Sequence, residues 1–356
     1  MVKKKEYTIK DVAMLAGVST ATAGRVLGGY GSVSPKTAQA VLDAAEKLNY
    51  IPNAIAQSMK KRNTHTIGLI IANICNPFFS LIAKATEEQL SKHGYNVIIC
   101  NTDEDIDREL SYMKTLYEKR IDGLMIASAL KGNDKITNEI KRLYSGKIPT
   151  LIIDREISSL SLPTIASDNF SGAYDATNHL IRLGHKRIGV IGTTISTLFD
   201  RVEGYKKALK DNNIPFDNRL IAQEGIRHIQ AGNVEEGRNV TLKMLTATHA
   251  RPTALLVLNN LLTFGALQAI HELGMKIPDD IALIGWDDFD LAPVMNPPVT
   301  VVKQSTDNLA IIASNWMLQL IQEPDNPIND NKKIVIPTQL IVRGSCGARK
   351  ETRHKW

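Results

Sequence analysis

Residues 8–27 read TIKDVAMLAGVSTATAGRVL, and this stretch decides the N-terminal fold. Thr8 to Ala13 opens a helix whose Ile9, Val12, Ala13 and Ala16 fall on one face at helical spacing. Gly17-Val18 makes a tight turn. Ser19 is placed to cap a second helix, Thr20 to Leu27. After a glycine-rich loop, Ser34-Pro35 supplies a cap and a first-turn proline for a third helix running to about Leu48. Three such helices make a helix–turn–helix with a buttress, a module that fixes which side chains reach base edges.

Charge points the same way. The 356-residue chain is long enough for two or three domains and carries a net charge of +6. Through Thr64, ten basic residues stand against four acids, so the whole excess sits in this head and the rest of the chain is neutral. A basic head on a neutral body is the footprint of phosphate binding. Cys75, Cys100 and Cys346 have no CxxC and no metal-ligand spacing, which reads as reduced thiols with no metal or other cofactor. The start, MVKKKEYTIK, has no apolar signal core, and no apolar run spans a bilayer. The expectation is a cytoplasmic protein with no membrane partner.

Beyond the head, short apolar runs alternate with amphipathic segments. Strands are expected at 66–72, 95–100, 123–127, 149–153, 187–191, 254–258, 281–285 and 300–302. Helices are expected between them, at 79–93, 108–119, 171–183, 201–212, 262–273 and 308–322. Alternation of this kind gives parallel sheets with right-handed crossovers, and so many strands suggest two sheets. Ligands of such folds sit outside the carboxyl ends of the strands. Polar residues collect there: Asn73 and Asn76, Asn101, Asp154-Arg155, Asp168-Asn169, Asn259-Asn260 and Asp287-Asp288. Any one of them is more often a helix cap; their recurrence raises the pocket reading. Asp103, Glu104, Asp105 and Asp107 read as a solvated loop.

Several of these stretches resemble the LacI/GalR family of bacterial repressors. In the head they are Thr8 to Ala13, Ala16-Gly17-Val18-Ser19, Arg25-Val26-Leu27 and Tyr50-Ile51-Pro52-Asn53. In the body they are Asn76-Pro77-Phe78-Phe79, Arg120 to Leu124, Gly184 to Ile188, Arg251 to Ala254 and Ile284 to Asp288. The resemblance runs to about Gly344. It implies a helix-turn-helix headpiece on an α/β periplasmic-binding-protein-like core of two parallel-sheet subdomains, acting as a homodimer. The implied domains are a headpiece at 1–50, a hinge helix and linker at 51–64, an effector and dimerisation domain at 65–345 and a basic tail at 346–356. Within the third, one subdomain takes about 65–165 and 295–325, the other about 166–294 and 326–345.

By the same resemblance, Thr20, Ala21 and Arg25 read bases, Arg25 by bidentate donation to guanine. Thr8, Ser19, Thr22, Ser34 and Thr37 are expected at phosphates, where the serines are equally well explained as caps. Asn53, Ala56 and Gln57 would line the minor groove, with Met59 as the apolar wedge at the centre of a pseudo-palindromic operator. Gly24 replaces the family's usual serine, and Tyr30 is placed to stack near the DNA backbone.

Asn76, Phe78, Phe79, Asp154, Arg155, Arg201, Asn259, Trp286, Asp287 and Gln304 fall on the sugar-contact positions of the ribose-binding branch. Carboxylates and guanidiniums match sugar hydroxyls, and aromatic rings sandwich a sugar ring. Asp154 and Asp287 are expected to pair with Arg155 and Arg201. Taken singly, Phe78 and Phe79 read as core and an Asp-Arg neighbour pair as surface. Ala127, Gly232 and Asn260 depart from the branch pattern, and the small residues at 127 and 232 suggest room for a larger sugar. The implied effector is a small sugar such as ribose, allose or a ketohexose. A purine or phosphorylated sugar is the alternative, with Ile195 standing where the purine branch has arginine. A sugar-binding transport protein is the remaining rival. No GxGxxG, P-loop, HExxH or nucleophile elbow argues for an enzyme.

Overall fold

The computed structural model describes residues 7–28, 30–50, 63–128, 134–157, 159–192, 196–223, 232–247, 251–323 and 332–348. The chain forms two compact units, Met1–Thr64 and His65–Trp356.

The first unit holds α1 (Ile9–Leu15), α2 (Thr20–Leu27) and α3 (Pro35–Lys47). Val12, Ala13, Ala23, Val41, Ala44 and Ala45 form its buried core, with Ile9, Ala16 and Val26 packed against them. The residues are small because three short helices cross closely. The Asp11 carboxylate reaches back to accept from the Thr8 amide and hydroxyl, both at 2.7 Å. Ser19 Oγ accepts from the Thr22 amide at 3.1 Å, and Ser34 Oγ from the Thr37 amide at 3.3 Å. Two helices thus start on the same Ser-x-x-Thr device, which satisfies donors that helix geometry leaves open. Gly17 turns the chain between α1 and α2 at φ +67°, where a side chain would be strained.

In the second unit, β1 (Thr66–Ile71), α4 (Pro77–Ser91), β2 (Asn96–Asn101), α5 (Ile106–Glu118), β3 (Gly123–Ile126), α6 (Asp134–Ser145), β4 (Thr150–Ile153) and β5 (Thr164–Ser167) come first. The alternation continues through α7 (Asn169–Arg182), β6 (Ile188–Gly192), α8 (Ser196–Asp211), β7 (Ile221–Gln223), α9 (Val234–Thr246), β8 (Ala254–Val257), α10 (Asn260–Glu272), β9 (Ala282–Trp286) and β10 (Thr300–Lys303). Last come α11 (Thr306–Gln322), β11 (Lys333–Ile336) and β12 (Gln339–Ile341).

The strands make two six-stranded sheets, ordered β11-β5-β4-β3-β1-β2 and β12-β10-β9-β8-β6-β7. The orders match position for position, so β4 and β9 are counterparts. Among the described residues all pairings are parallel except β10 with β12. Central strands are apolar throughout, as sheets covered on both faces require: Ile67 to Ile71 and Ala254 to Val257 are fully buried.

Strand pairing corrects the expected subdomain limits. Residues 295–325 were assigned to the first lobe and 326–345 to the second. β10 instead lies beside β9 in the second sheet, and β11 pairs with β5 as the edge of the first. α11 does pack in the first lobe, where Leu309, Ala310, Ala313 and Met317 share a core with Ile67 and Leu69. The chain therefore passes between lobes three times, after β5, after β10 and before β12. Four strands had no sequence expectation: β5, β7, β11 and β12, each of three or four residues.

Candidate functional site

In the first unit, Thr20, Ala21 and Arg25 are exposed on α2, and Thr8, Ser19 and Ser34 are exposed at the starts of the three helices. Thr22 and Thr37 are half-buried. The Ser19 and Thr22 hydroxyls lie 2.9 Å apart, and those of Ser34 and Thr37 2.8 Å apart. The aliphatic stem of Arg25 runs along Gly31, where an added Cβ would stand 3.4 Å from Arg25 Cδ. The Tyr30 ring lies on α2 over Gly28, leaving no room for a Cβ there, with its hydroxyl near Gly24. It is part of the headpiece packing. Gly24 itself leaves space for a side chain, since a Cβ would sit 3.6 Å from Tyr30 Oη. Asn53, Ala56, Gln57 and Met59 lie outside the described residues.

In the second unit, the ten residues expected around an effector all stand at or just beyond strand carboxyl ends or in the first two turns of the adjoining helices. Nine are buried and Asn259 is half-buried. Asp154 follows β4 and Asp287 follows β9, the counterpart strand. Both adopt a left-handed backbone, at φ 63° and 66°, and each amide donates to the next strand, to Ile165 O at 2.8 Å and to Val302 O at 2.9 Å. A left-handed aspartate is costly unless its surroundings fix it, and such strain collects at ligand sites.

Of the expected aspartate–arginine pairs, Asp154 with Arg155 forms as a long ion pair, while Asp287 with Arg201 forms none among the described residues. Arg155 gives both terminal nitrogens to Glu104, each at 2.6 Å, and donates to Ser128 O at 3.2 Å. Asp154 is only 3.7 Å from Arg155 Nε. Glu104 is therefore buried in the site, not part of a solvated loop. Asp105, its neighbour, caps α5 by accepting from the Arg108 amide at 2.8 Å. Arg201 donates from Nε to Asn169 Oδ1 at 2.7 Å and from Nη1 to Leu258 O at 2.5 Å. Asp287 accepts from Gln304 Nε2 at 2.6 Å. The guanidiniums of Arg155 and Arg201 lie 5.5 Å from the Phe79 ring centre and 4.1 Å from that of Trp286.

Burial dominates the electrostatics. It pushes the Asp287 carboxyl up to about 6, against the opposing pull of Arg201 and Gln304. It raises Asp154 as well, Arg155 and Arg201 notwithstanding. It lowers Arg201 to about 10, with Asp287 and Asp154 only partly restoring the charge. For Arg155, burial is outweighed by the charge and hydrogen bonds of Glu104, and the net shift is upward.

Among the described residues, six buried polar atoms around the cleft have no hydrogen-bond partner: Ser128 Oγ, Asp154 Oδ1, Ser167 Oγ, Thr197 Oγ1, Trp286 Nε1 and Gln304 Oε1. Buried polar groups are rarely left unpaired, so a cluster of them marks a place where a polyhydroxylated molecule would be stabilised. One bond spans the lobes here: Asn260 Nδ2 donates to Asn76 Oδ1 at 2.8 Å, while the same oxygen accepts from the Phe78 amide at 2.9 Å. Phe78 and Phe79 meet edge to face at 5.1 Å. Glu104, Ser128, Ser167, Asn169, Thr197 and Asn260 were not among the expected contacts. Their shared signal is position, just past strand ends on the cleft side.

Residues 8–53 match the family model described as bacterial regulatory proteins, lacI family. Residues 64–343 match that described as periplasmic binding proteins and sugar binding domain of LacI family. The chain is 34% identical over 340 residues to the HTH-type transcriptional repressor PurR of Haemophilus influenzae (strain PittEE), covering 95% of this chain and 98% of that one. It is 32% identical over 338 residues to the ribose operon repressor of Halalkalibacterium halodurans, covering 94% and 96%. Among solved structures, the lac repressor dimer bound to operator and the anti-inducer ONPF is similar, with a TM-score of 0.82 and 27% identity over 97% of this chain and all of that one.

Proposed function

The chain belongs to the LacI family of bacterial regulatory proteins, and we propose that it is a homodimeric, cytoplasmic repressor of carbohydrate-utilisation genes whose grip on operator DNA is set by a small sugar. The observation that carries this reading is the union, in one chain, of an exposed reading helix and a cleft whose buried polar atoms lack partners. Two headpieces read a pseudo-palindrome through Thr20, Ala21 and Arg25. Asn53, Ala56, Gln57 and Met59 of the hinge enter its central minor groove. Thr8, Ser19, Thr22, Ser34 and Thr37 hold phosphates and set register.

In the cleft, ribose, allose or a ketohexose satisfies Asp154, Gln304 and Trp286 Nε1 and lies against Phe78 and Phe79. It bonds groups from both lobes, so it changes the free energy of lobe closure. The lobes change hinge spacing, and operator affinity shifts by the coupling energy. Among the described residues no helix is long and apolar enough to cross a membrane. The headpiece and the family of regulators weigh against a carrier or a catalyst.

The test is fluorescence anisotropy on a labelled operator, with a panel of pentoses, hexoses, their phosphates and purines. A neutral sugar that shifts operator affinity in either direction supports the reading. A shift with purines alone moves the effector to the class of the PurR relative. Arg25→Ala should lose roughly 1–3 kcal/mol on the operator and spare salt-sensitive binding to random DNA; equal losses on both would remove its reading role.

A further inference from the structure

A cavity of about 480 Å³ lies where the chain first passes between the lobes, and it shares Asp154 with the effector cleft. We propose that this cavity seats a cationic amine on the effector, so that the regulatory ligand is an aminated sugar or polyol. The proposal rests on the sugar reading of the cleft and names the chemical class within it.

Three lining side chains, Asp154, Ser167 and Thr197, are at least nine-tenths buried and carry a polar atom with no hydrogen-bond partner among the described residues. They call for a ligand with several donors. The charge around them is uneven. Lys333 is the lone basic side chain among the described lining residues, and Glu156 already holds it at 2.5 Å. Asp168 is used as the cap of α7, accepting from the Ser171 amide at 2.9 Å. Asp154 and the exposed Asp200 near the start of α8 remain: Asp154 has Arg155 Nε behind it at 3.7 Å but keeps Oδ1 without a hydrogen bond among the described residues, and Asp200 forms no ion pair among them. A neutral hydroxyl would leave the unpartnered Oδ1 of Asp154 and the Asp200 carboxylate without a charged hydrogen-bond donor, whereas an ammonium supplies three donors and one positive charge. Among the described residues no three carboxylate, imidazole or thiol groups converge as a metal ion needs, which points to an organic cation. Phe170 borders the cavity with an exposed ring, whose face attracts an ammonium.

The experiment is calorimetric titration of the full-length protein with four aminated compounds, each against its hydroxyl twin. They are 1-amino-1-deoxyfructose with fructose, glucosamine with glucose, galactosamine with galactose, and 1-amino-1-deoxysorbitol with sorbitol. At least one amine should bind about tenfold or more tightly than its twin, the size of one added charged hydrogen bond. Asp200→Asn should cut that preference to about threefold or less. If neutral sugars bind and no amine is preferred, the amine site is overturned and the sugar reading stands. If neither set binds while a purine does, both fall. A preference that survives in Asp200→Asn and in Thr197→Val also overturns the assignment to this cavity.

Discussion

The two lobes solve the same electrostatic problem differently. Each buries an arginine against an aromatic ring and an aspartate in a left-handed turn after a counterpart strand. In the first lobe Arg155 is closed by Glu104 in a bidentate pair, both side chains being almost fully buried. In the second, Arg201 leans on neutral acceptors, Asn169 and the Leu258 carbonyl. Among the described residues it makes no ion pair. The consequence appears in the titration: Arg155 is pushed up by Glu104, Arg201 is lowered to about 10 by burial. One lobe is electrostatically finished; the other keeps charge in reserve for a ligand.

The sharpest way to break this contrast is to remove the two arginines in turn. Arg155→Met strands Glu104 and should cost about 3–5 kcal/mol in urea unfolding. Replacing Glu104 with leucine in that background should recover much of the loss. Arg201→Met should cost less stability, about 1–2 kcal/mol, yet weaken effector binding about 10- to 100-fold. Equal stability losses would erase the distinction between the lobes.

A second test uses pH. Asp287 titrates at about 6 in the fold, well above an ordinary carboxylate. In the free protein the native state keeps a proton that the unfolded chain has lost between about pH 4 and 6, so this group makes stability fall as pH rises through that window. Sugar hydroxyls donate to the ionised form, so effector affinity should rise with pH through about 6, at most about tenfold per unit below it. Proton release measured by calorimetry near pH 6 in two buffers checks the sign; proton uptake would refute it.

The smallest effect concerns the bond between lobes. Asn260→Ala removes the donor to Asn76 and should loosen closure by about 1 kcal/mol. Small-angle scattering would show a wider free protein, and an unchanged profile would deny the bond a closing role.

The head and the long strands were legible because local rules act there: helix spacing, caps and continuous apolar runs each have one reading. Ser19, Ser34 and Pro35 announce helix starts, and β1 can only be interior. The short strands were not legible. β11 and β12 have a few residues each and take their places from partners far away in the chain, β5 and β10. The subdomain limits taken from the resemblance therefore missed the second and third crossings, after β10 and before β12. The ten expected effector positions came from the resemblance, which said nothing of their partners. Glu104 sat among four acids and looked solvated, and only the fold brings it 51 residues along the chain to Arg155. Pairing across such distances leaves no local trace.

The triple passage between lobes also governs the order of assembly. The second lobe draws most of its sheet from one continuous run, β6 to β10, whereas the first needs α11 for its core and β11 for its edge. The part of the body that leaves the ribosome first is thus the part that cannot finish folding until nearly the whole chain is out. A product truncated before α11 would carry a headpiece, but its first lobe would expose the apolar face that α11 covers, which favours capture by proteases over binding to DNA.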